Sequence, residues 1–480
     1  MHYLVFAADS LPGAGALDNL GLPESGDGKS DLLQEAKWEA DFLTRMQDAD
    51  GGFYFLLYPK ERSYEDDVLP DQGDPQVVWP KTTAATAAAV AALAQAGSSP
   101  LFRTQFPESA NLYLRKAMNG WAFLERAMAQ HGRDGSYQKI SHYGHEFLHD
   151  DELAWAATEL FLATKELRFE RELITRFDPN DRDTKRWTWW RLYEGYGCAI
   201  RSYAFGATSG RVESGALNAG FLRKCRGEIL AAAQDQARFA ADSAYGTSFP
   251  DATKRFRSAG WYFSNERAFD LCVALQLNPD GGKGSRLELL DALMSKLNYE
   301  GGCNPVNMTY VTGLGWRRQI DIVHQYAQND RRVLPPSGIP IGNIQAGFQF
   351  LHHYGKELGA LSYPPDGAEE APYPFYDRWG DSFNTSTEFV AVNQARSLAS
   401  LAFLMAQTSI KTQPWRMAQA EILLPPNEPR VGEKITCRIK ANGLDLRAAR
   451  IVWETRDQPP AFGESLTFAP SAAGKHWIEA

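Results

Sequence analysis

The sequence predicts a mainly α-helical protein in which two concentric rings of helices precede a small β-sandwich. Apolar residues recur with the helical period from residue 1 to about residue 410, and strand-like runs in that part are few and short. After Gln413 the pattern changes to strand periodicity. No repeat of fixed length is visible, which argues against a stacked-repeat solenoid. Long loops rich in Gly, Pro and aromatic residues join the helices, so we expect function on the loops at one end of the rings.

The helices are predicted from apolar stripes and end signals. Ser30–Met46 has one apolar stripe that Ser30 and Asp31 can cap. The Ala-rich segment Thr83–Ala96 ends at Gly97, a good C-cap. The opening segment Met1–Ala8 is expected to be part of a core helix, since it is too short for a signal peptide and lacks a basic start. The helical pattern recurs in Ser109–Gln130, Asp151–Glu166, Leu217–Ala241, Glu266–Leu277, Leu287–Leu297, Asn343–Glu357 and Glu388–Gln407.

The C-terminal part has the features of a β-sandwich. Five short alternating runs are predicted to be strands: Ala420–Leu424, Lys434–Lys440, Arg450–Thr455, Ser465–Phe468 and His476–Glu479. Trp453 stands where an immunoglobulin-like sandwich has its strand-C tryptophan, but such a module needs about 100 residues and only about 65 remain. We therefore expect a domain at 1–412, an incomplete immunoglobulin-like domain at 413–480, and a chain that is a fragment at both ends.

Composition excludes several classes of protein. The 480 residues are 44% hydrophobic and 23% charged, which is ordinary for a globular protein and unlike a disordered or fibrous one. A net charge of -9 argues against nucleic acid or an anionic membrane as a partner. The five cysteines are scattered without the spacing of a disulfide framework or a zinc site. The sequence is rich in aromatic residues, at 12%, and the 13 Trp residues account for the excess. Trp residues can fill a core, but flat indoles also stack on sugar rings, so a carbohydrate site is worth testing.

Three segments combine the residue types that catalysis or metal binding needs. Asn304–Gly315 is a Gly- and Asn-rich loop next to Tyr310, for which a tight structural turn is the alternative. Asp377–Glu388 runs into a helix, where a carboxylate is either a cap or, near aromatic residues, a general acid of raised pKa. Ser141–Glu152 holds three His followed by the three carboxylates Asp150–Glu152, in a spacing that matches no standard metal site, so a structural role is favoured over metal binding there.

The order of these and other motifs resembles the catalytic domain of glycoside hydrolase family 9, a family mainly of cellulases. Five stretches carry the resemblance in the family's order: Pro23–Gly28 with Asp31–Ala36, Met46–Gln47 with Asp50–Gly52, Asp151–Leu160, the loop from Asn304 to Gly313, and the region around Glu388. The resemblance implies an (α/α)6 barrel, which agrees with the two rings of helices. It also implies a polysaccharide or oligosaccharide substrate, a secreted or extracytoplasmic and monomeric protein, and no required cofactor.

The resemblance also assigns roles to individual residues. Glu388 matches the general acid, which protonates the glycosidic oxygen. Asp151 and Glu152 match calcium ligands of some members. His324 matches a sugar-contacting His, although Gln325 stands where the family has Arg. The other candidate substrate contacts are aromatic: Tyr143, Tyr310 and the stacking platforms Trp79, Trp316 and Trp379.

One departure from the family's pattern separates the hypotheses about function. The family's Asp-Ala-Gly-Asp motif, which supplies the water-activating base across roughly 6.5–9.5 Å in an inverting mechanism, is missing from this sequence. The leading hypothesis is a hydrolase of β-1,4-linked glucan whose base lies outside the chain. The first alternative is a non-catalytic carbohydrate-binding relative, and the second is a helical scaffold with an adhesion-like β-module. The sugar itself stays open among glucan, mixed-linkage glucan and amino-sugar oligomers.

Overall fold

The structure is a computed structural model. It describes residues 1–60, 75–131, 150–181, 194–243, 245–246, 264–278, 283–304, 307, 309–315, 322, 336–340, 389, 391–414, 419–447, 449, 451–455, 461–474, 476 and 478–480. The α-helices of these residues are α1 His2–Ser10, α2 Asp31–Arg45, α3 Thr83–Ser98, α4 Pro100–Gln105, α5 Pro107–His131, α6 Asp150–Thr164, α7 Leu167–Arg176, α8 Glu194–Phe205, α9 Ala219–Ala241, α10 Ser264–Leu277, α11 Lys283–Glu300 and α12 Ala391–Ala406.

Burial alternates from helix to helix along the chain, as two rings require. Helix α3 buries thirteen of its sixteen residues, and α1, α6 and α8 are buried around most of their circumference. Helix α7 buries only three of its ten residues, and α2, α5 and α9 each bury one face. A helix buried all round belongs inside, and a helix with one apolar stripe belongs outside. The inner ring therefore runs α1, α3, α6, α8, α10 and α12, and α12 packs on α1 to close it.

The inner helices run in the same direction, because the contacts between two neighbouring helices advance in the same direction along both. The contacting pairs are His2 with Gln95 and Asp9 with Ser99 between α1 and α3, Tyr3 with Arg396 and Gly13 with Ala406 between α1 and α12, and Asp151 with Gly195 and Glu159 with Ser202 between α6 and α8. The inner helices consequently all begin at one end of the barrel. No helix among the described residues is long and apolar enough to cross a membrane.

The predicted helices are confirmed with shifts of a few residues where the structure describes them, including the opening core helix. The predicted helix Asn343–Glu357 lies outside the described residues. The sequence analysis missed α4, α7 and α8. A two-stranded antiparallel ribbon, β1 Leu57–Pro59 with β2 Gln76–Val78, leads into α3 and was also missed.

The C-terminal part forms two three-stranded sheets within its described residues. The strands are β3 Gln419–Leu423, β4 Ile435–Asn442, β5 Val452–Thr455, β6 Ala461–Phe462, β7 Ser465–Phe468 and β8 Ile478–Glu479, in the orders β3-β4-β7 and β6-β5-β8. Trp453 is fully buried in a small separate core, and its indole N–H donates to the carbonyl oxygen of Gly463 at 2.7 Å. The immunoglobulin-like assignment and the domain boundary at 412/413 stay predictions.

Candidate active site

The first turns of α6 and α8 meet at the end where the inner helices begin. The backbone N–H of Gly195 donates to the Asp151 carboxylate at 3.0 Å. A Cβ at position 195 would lie 2.5 Å from the Asp151 carbonyl oxygen, so only glycine allows this approach. Glu152 follows Asp151 on the same turn, and its Oε2 is buried without a hydrogen bond among the described residues. The carboxyl groups of buried Asp151 and half-buried Glu152 therefore lie side by side at the barrel end.

Burial dominates the electrostatics of this pair. It raises the pKa of Asp151, and it raises the pKa of Glu152 well above its usual value together with repulsion from Asp151. The neighbouring Asp150 points elsewhere, because its carboxylate pairs with the Arg176 guanidinium at 3.1 Å. The described residues contain no cluster of three or more His, Cys, Asp or Glu that would by itself enclose a metal ion.

A second buried network links four inner helices below the same end. The buried guanidinium of Arg396 on α12 pairs with Glu194, the first residue of α8, and lies 4.9 Å from the centre of the Tyr3 ring on α1. Arg201 lies 5.5 Å from the same ring and pairs with Asp270 on α10 at 3.2 Å. The sequence analysis did not find this network. Its local signal in α12 is Arg396, the one charged residue of that helix, since Arg is rarely buried unless paired.

The loop that contains Tyr310 is tightly packed in its described part. The Tyr310 side chain is fully buried, with its ring centre 6.0 Å from that of Tyr299. Its backbone N–H donates to the Glu300 carbonyl oxygen at 3.0 Å. Gly313 has φ +69°, and a Cβ there would lie 2.0 Å from the Ser337 hydroxyl oxygen. Burial gives Tyr310 a packing role in the structure, and its contact with substrate stays a prediction.

The remaining candidate residues divide by whether the structure describes them. Trp79 is half-buried and lies four residues before α3, at the barrel end where the inner helices begin. Five candidates lie outside the described residues: Tyr143, Trp316, His324, Trp379 and Glu388. Glu388 precedes the first residue of α12, Ala391, by three positions in the chain.

At the opposite end of the barrel, burial raises the pKa of Asp9 to about 6. Its carboxylate accepts a hydrogen bond from the Ser99 hydroxyl at 2.8 Å. Two hydrogen bonds, from Ser99 and Leu101, and the positive charge of Arg211 offset part of this increase. The negative charge of Glu159 adds to it.

We expect Asp9→Asn to change how stability depends on pH. Between about pH 4 and pH 6 the folded protein holds the Asp9 proton more tightly than the unfolded chain does, so the wild-type protein loses stability through this window as the pH rises. Asn cannot titrate. The free energy of unfolding of the variant minus that of wild type should therefore rise between pH 4 and pH 7, by up to about 3 kcal/mol. Urea unfolding of both proteins across this range measures the difference. A difference that stays constant with pH would contradict the raised pKa.

A double ring of helices is the architecture of an (α/α)6 barrel. The profile of glycosyl hydrolase family 9 matches residues 11–387, so the chain belongs to this family. The fold agrees with solved members. A metagenome-derived family 9 endoglucanase superimposes with a TM-score of 0.60 at 22% identity over 85% of this chain and 68% of that one. A Bacteroides ovatus family 9 protein gives 0.62 at 21% identity over 84% and 69%.

Two curated relatives from Acetivibrio thermocellus are similar over part of their length. A cellulose 1,4-beta-cellobiosidase is 24% identical over 364 residues, covering 69% of this chain and 38% of the relative. Endoglucanase D is 24% identical over 297 residues, covering 62% and 44%. The chain thus spans less than half the length of these relatives.

Proposed function

We propose that the protein hydrolyses β-1,4-linked glucan. The observation that carries the proposal is the family 9 match over residues 11–387, supported by similarity to a cellobiosidase and an endoglucanase. The helical barrel supports it further, because its inner helices place their first turns, with the Asp151–Glu152 pair, at one end. We also propose that the protein acts outside the cytoplasm, since polymeric glucan is found outside cells. A further proposal is that it is a monomer.

The proposed reaction is an acid-catalysed displacement at the anomeric carbon. The Glu388 carboxyl gives its proton to the glycosidic oxygen as the bond from that oxygen to the anomeric carbon breaks. A water molecule attacks the opposite face of the sugar and gives its proton to a second carboxylate, so the product has inverted configuration. His324, Tyr143, Trp316 and Trp379 are proposed to bind the sugar units on either side.

One observation favours a second candidate function, a carbohydrate-binding protein without turnover. The 480 residues contain no Asp-Ala-Gly-Asp motif, so no residue of this chain is assigned to take the proton from water. Without that base the barrel and its aromatic residues would still bind glucan, but hydrolysis would lack a positioned proton acceptor.

Incubation of the protein with β-1,4-glucan, mixed-linkage glucan and chitin oligomers distinguishes the two. Hydrolysis predicts new reducing ends, and proton NMR of the first product should show the α-anomer if the mechanism inverts. Binding without release of reducing ends would support the carbohydrate-binding protein. A protein that neither binds nor cleaves any of the three would contradict both functions and favour the scaffold hypothesis.

Calcium is a further proposal for the Asp151–Glu152 pair. Calcium takes carboxylate oxygens as ligands, and a buried Glu152 oxygen without a hydrogen bond beside a second carboxylate fits a bound cation. Calcium there would hold the first turn of α6 against α8 and would take no part in bond cleavage.

We expect calcium to raise the melting temperature of the protein relative to protein in a chelator. At a calcium concentration about 100 times the Kd the gain is about 2.7 kcal/mol. Glu152→Gln should abolish the increase because it removes a charged ligand. Asp150→Asn is the matched control and should keep it, since Asp150 pairs with Arg176. Identical melting of the wild-type protein in calcium and in chelator would refute the proposal.

A further inference from the structure

The carboxylate of Glu194 lies near the axis of the barrel. It pairs with the guanidinium of Arg396, which is 4.9 Å from the centre of the Tyr3 ring. In the ring of six inner helices, Tyr3 on α1 and Glu194 on α8 occupy opposite positions. A guanidinium that contacts both of them must lie close to the axis. Arg201, also on α8, is 5.5 Å from the same Tyr3 ring, so the inner sides of α1 and α8 face each other there.

Glu194 also lies at the end of the barrel where the inner helices begin, because it is the first residue of α8. Its side chain is 42% exposed, whereas the side chain of Arg396 is 2% exposed and belongs to a residue five positions into α12. Inner helices surround the Glu194 carboxylate at the sides, and the guanidinium lies below it. The exposed part of the side chain therefore opens toward the end that carries the proposed active site.

Neighbouring groups hold this carboxylate in place. One of its oxygens pairs with the Arg396 guanidinium, and the other lies 3.8 Å from the Cys198 sulfur. The next residue, Gly195, donates its N–H to Asp151 on α6 at 3.0 Å, which fixes the start of α8. An ionised carboxylate can accept about four hydrogen bonds, so these contacts do not prevent it from accepting one from water. A carboxylate that is ordered before substrate binds needs no rearrangement during the reaction.

The place of Glu194 suits the second carboxylate of an inverting hydrolase. Such an enzyme has its two carboxyl groups roughly 6.5–9.5 Å apart, so that a water molecule fits between one of them and the sugar. Glu388 precedes α12 and Glu194 begins α8, with α10 between these two helices in the inner ring. Neighbouring packed helices are 8–10 Å apart, so the axes of α8 and α12 are roughly 14–17 Å apart. Carboxylates that start from two such helices leave space for a sugar unit and a water molecule.

We propose that Glu194 is the general base of the proposed hydrolysis, the role that the missing Asp-Ala-Gly-Asp motif leaves unassigned. The oxygen of a water molecule attacks the anomeric carbon as the glycosidic bond breaks, and one proton of that water passes to the Glu194 carboxylate. The Glu388 carboxyl gives its proton to the departing glycosidic oxygen, and both residues then exchange protons with solvent. This inference rests on the proposed function. It predicts that the 480-residue chain hydrolyses glucan without a base from outside the chain.

Glu194→Gln tests the assignment on dinitrophenyl cellobioside, whose leaving group needs no protonation. We expect kcat on this substrate to fall by about 10²–10⁴, because attack by water still needs a proton acceptor. Azide attacks without giving up a proton, so added azide should restore much of the rate and form α-cellobiosyl azide. Glu388→Gln should behave differently, since a variant that lacks only the acid keeps most of its activity on this substrate.

The matched control is Glu172→Gln on the outer helix α7. Glu172 is 34% exposed and pairs at 2.7 Å with Arg176, whose side chain is 2% exposed, so the change also takes a half-exposed carboxylate from a buried guanidinium. This variant should keep the kcat of wild type and should not respond to azide. If Glu194→Gln does not fold, Glu194→Asp replaces it, because aspartate keeps a counter-charge for Arg396 but draws the carboxylate back by one methylene. Its kcat should fall by about 10² and recover with azide.

The outcomes separate this inference from the proposed function. If wild type hydrolyses dinitrophenyl cellobioside and Glu194→Gln is either fully active or inactive without recovery in azide, Glu194 is not the base and the proposed function stands. If wild type cleaves this substrate only in the presence of azide, the chain has no working base, and hydrolysis with a base from outside the chain stands. If wild type cleaves nothing with or without azide, both proposals fail.

Discussion

Glu388→Gln is expected to lower kcat on cello-oligosaccharides by about 10²–10⁴, the contribution of a positioned general acid. Glutamine has nearly the same shape but holds no acidic proton, so the glycosidic oxygen must leave without protonation. Binding should be largely unchanged, because the amide can still hydrogen-bond to sugar hydroxyls. Initial rates and calorimetric affinities of variant and wild type, compared in the same preparation, check both expectations.

A substrate whose leaving group needs no protonation tests whether Glu388 acts as a general acid. Dinitrophenolate leaves without protonation, so Glu388→Gln should lose much less activity on dinitrophenyl cellobioside than on cellotetraose. The matched control is Glu213→Gln, an exposed carboxyl before α9, which should behave as wild type on both substrates. An equal loss on the two substrates would give Glu388 a structural role, and an unimpaired variant would end its assignment as the acid.

Much of the fold was predictable because its signals are local. The apolar stripe of α2 and the Ala-rich run of α3 lie within one helix each, and both helices were located to within about two residues. The predicted caps were wrong, because the Ser30 side chain makes no capping hydrogen bond and α3 continues past Gly97 to Ser98. Helix α8 was missed because Glu194–Phe205 is buried all round, contains Gly195 and Gly197, and so shows no amphipathic period. The short ribbon before α3 was missed because its strands are separated by a long stretch of chain, and only pairing makes them recognisable.

The candidate site also has a part that local sequence signals predict and a part that they do not. Asp151 and Glu152 were found because they are adjacent in the sequence and begin a predicted helix. Their approach to Gly195, 44 positions later, depends on how α6 packs on α8 and has no local signal. The Arg396–Glu194 pair joins residues 202 positions apart. An arginine that is the one charged residue of a helix indicates that it has a buried partner. Which residue is the partner depends on how the ring of helices closes, and the local sequence does not show it.

The ring also explains why its buried charges matter to function. Arg396 and Glu194 hold α12 against α8, and Arg201 and Asp270 hold α8 against α10. Removing one member of such a pair takes a counter-charge from the other, which is costly where that other charge is buried, as those of Arg396 and Arg201 are. Each pair therefore fixes the relative position of the helices whose first turns form the proposed catalytic end.

The largest stability effect is expected at a third buried pair, between Glu159 on α6 and Arg211 after α8. Their charged atoms are 2.7 Å apart, and both side chains are almost fully buried. The Glu159 carboxylate also accepts hydrogen bonds from the Ser202 hydroxyl at 2.5 Å and the Trp155 indole N–H at 3.0 Å. Glu159→Ala leaves the guanidinium of Arg211 without its counter-charge and two donors without an acceptor. We expect a loss of about 3–5 kcal/mol, or roughly 3–6 °C in melting temperature.

Two further variants separate a buried charge from simple loss of packing. The double change Glu159→Leu with Arg211→Met removes both charges and should recover the part of the loss that comes from the uncompensated charge, because an apolar pair of similar volume replaces a buried ion pair at little cost. The Ser202 and Trp155 donors stay without the Glu159 acceptor in this variant, so the rest of the loss should remain. Lys224→Met breaks an exposed pair of similar length, 2.6 Å to Asp178, and should cost less than about 1 kcal/mol. Urea unfolding of the four proteins gives the comparison. If Glu159→Ala costs no more than Lys224→Met, or if the double variant is as unstable as Glu159→Ala, the unpaired charge is not the cause of the loss.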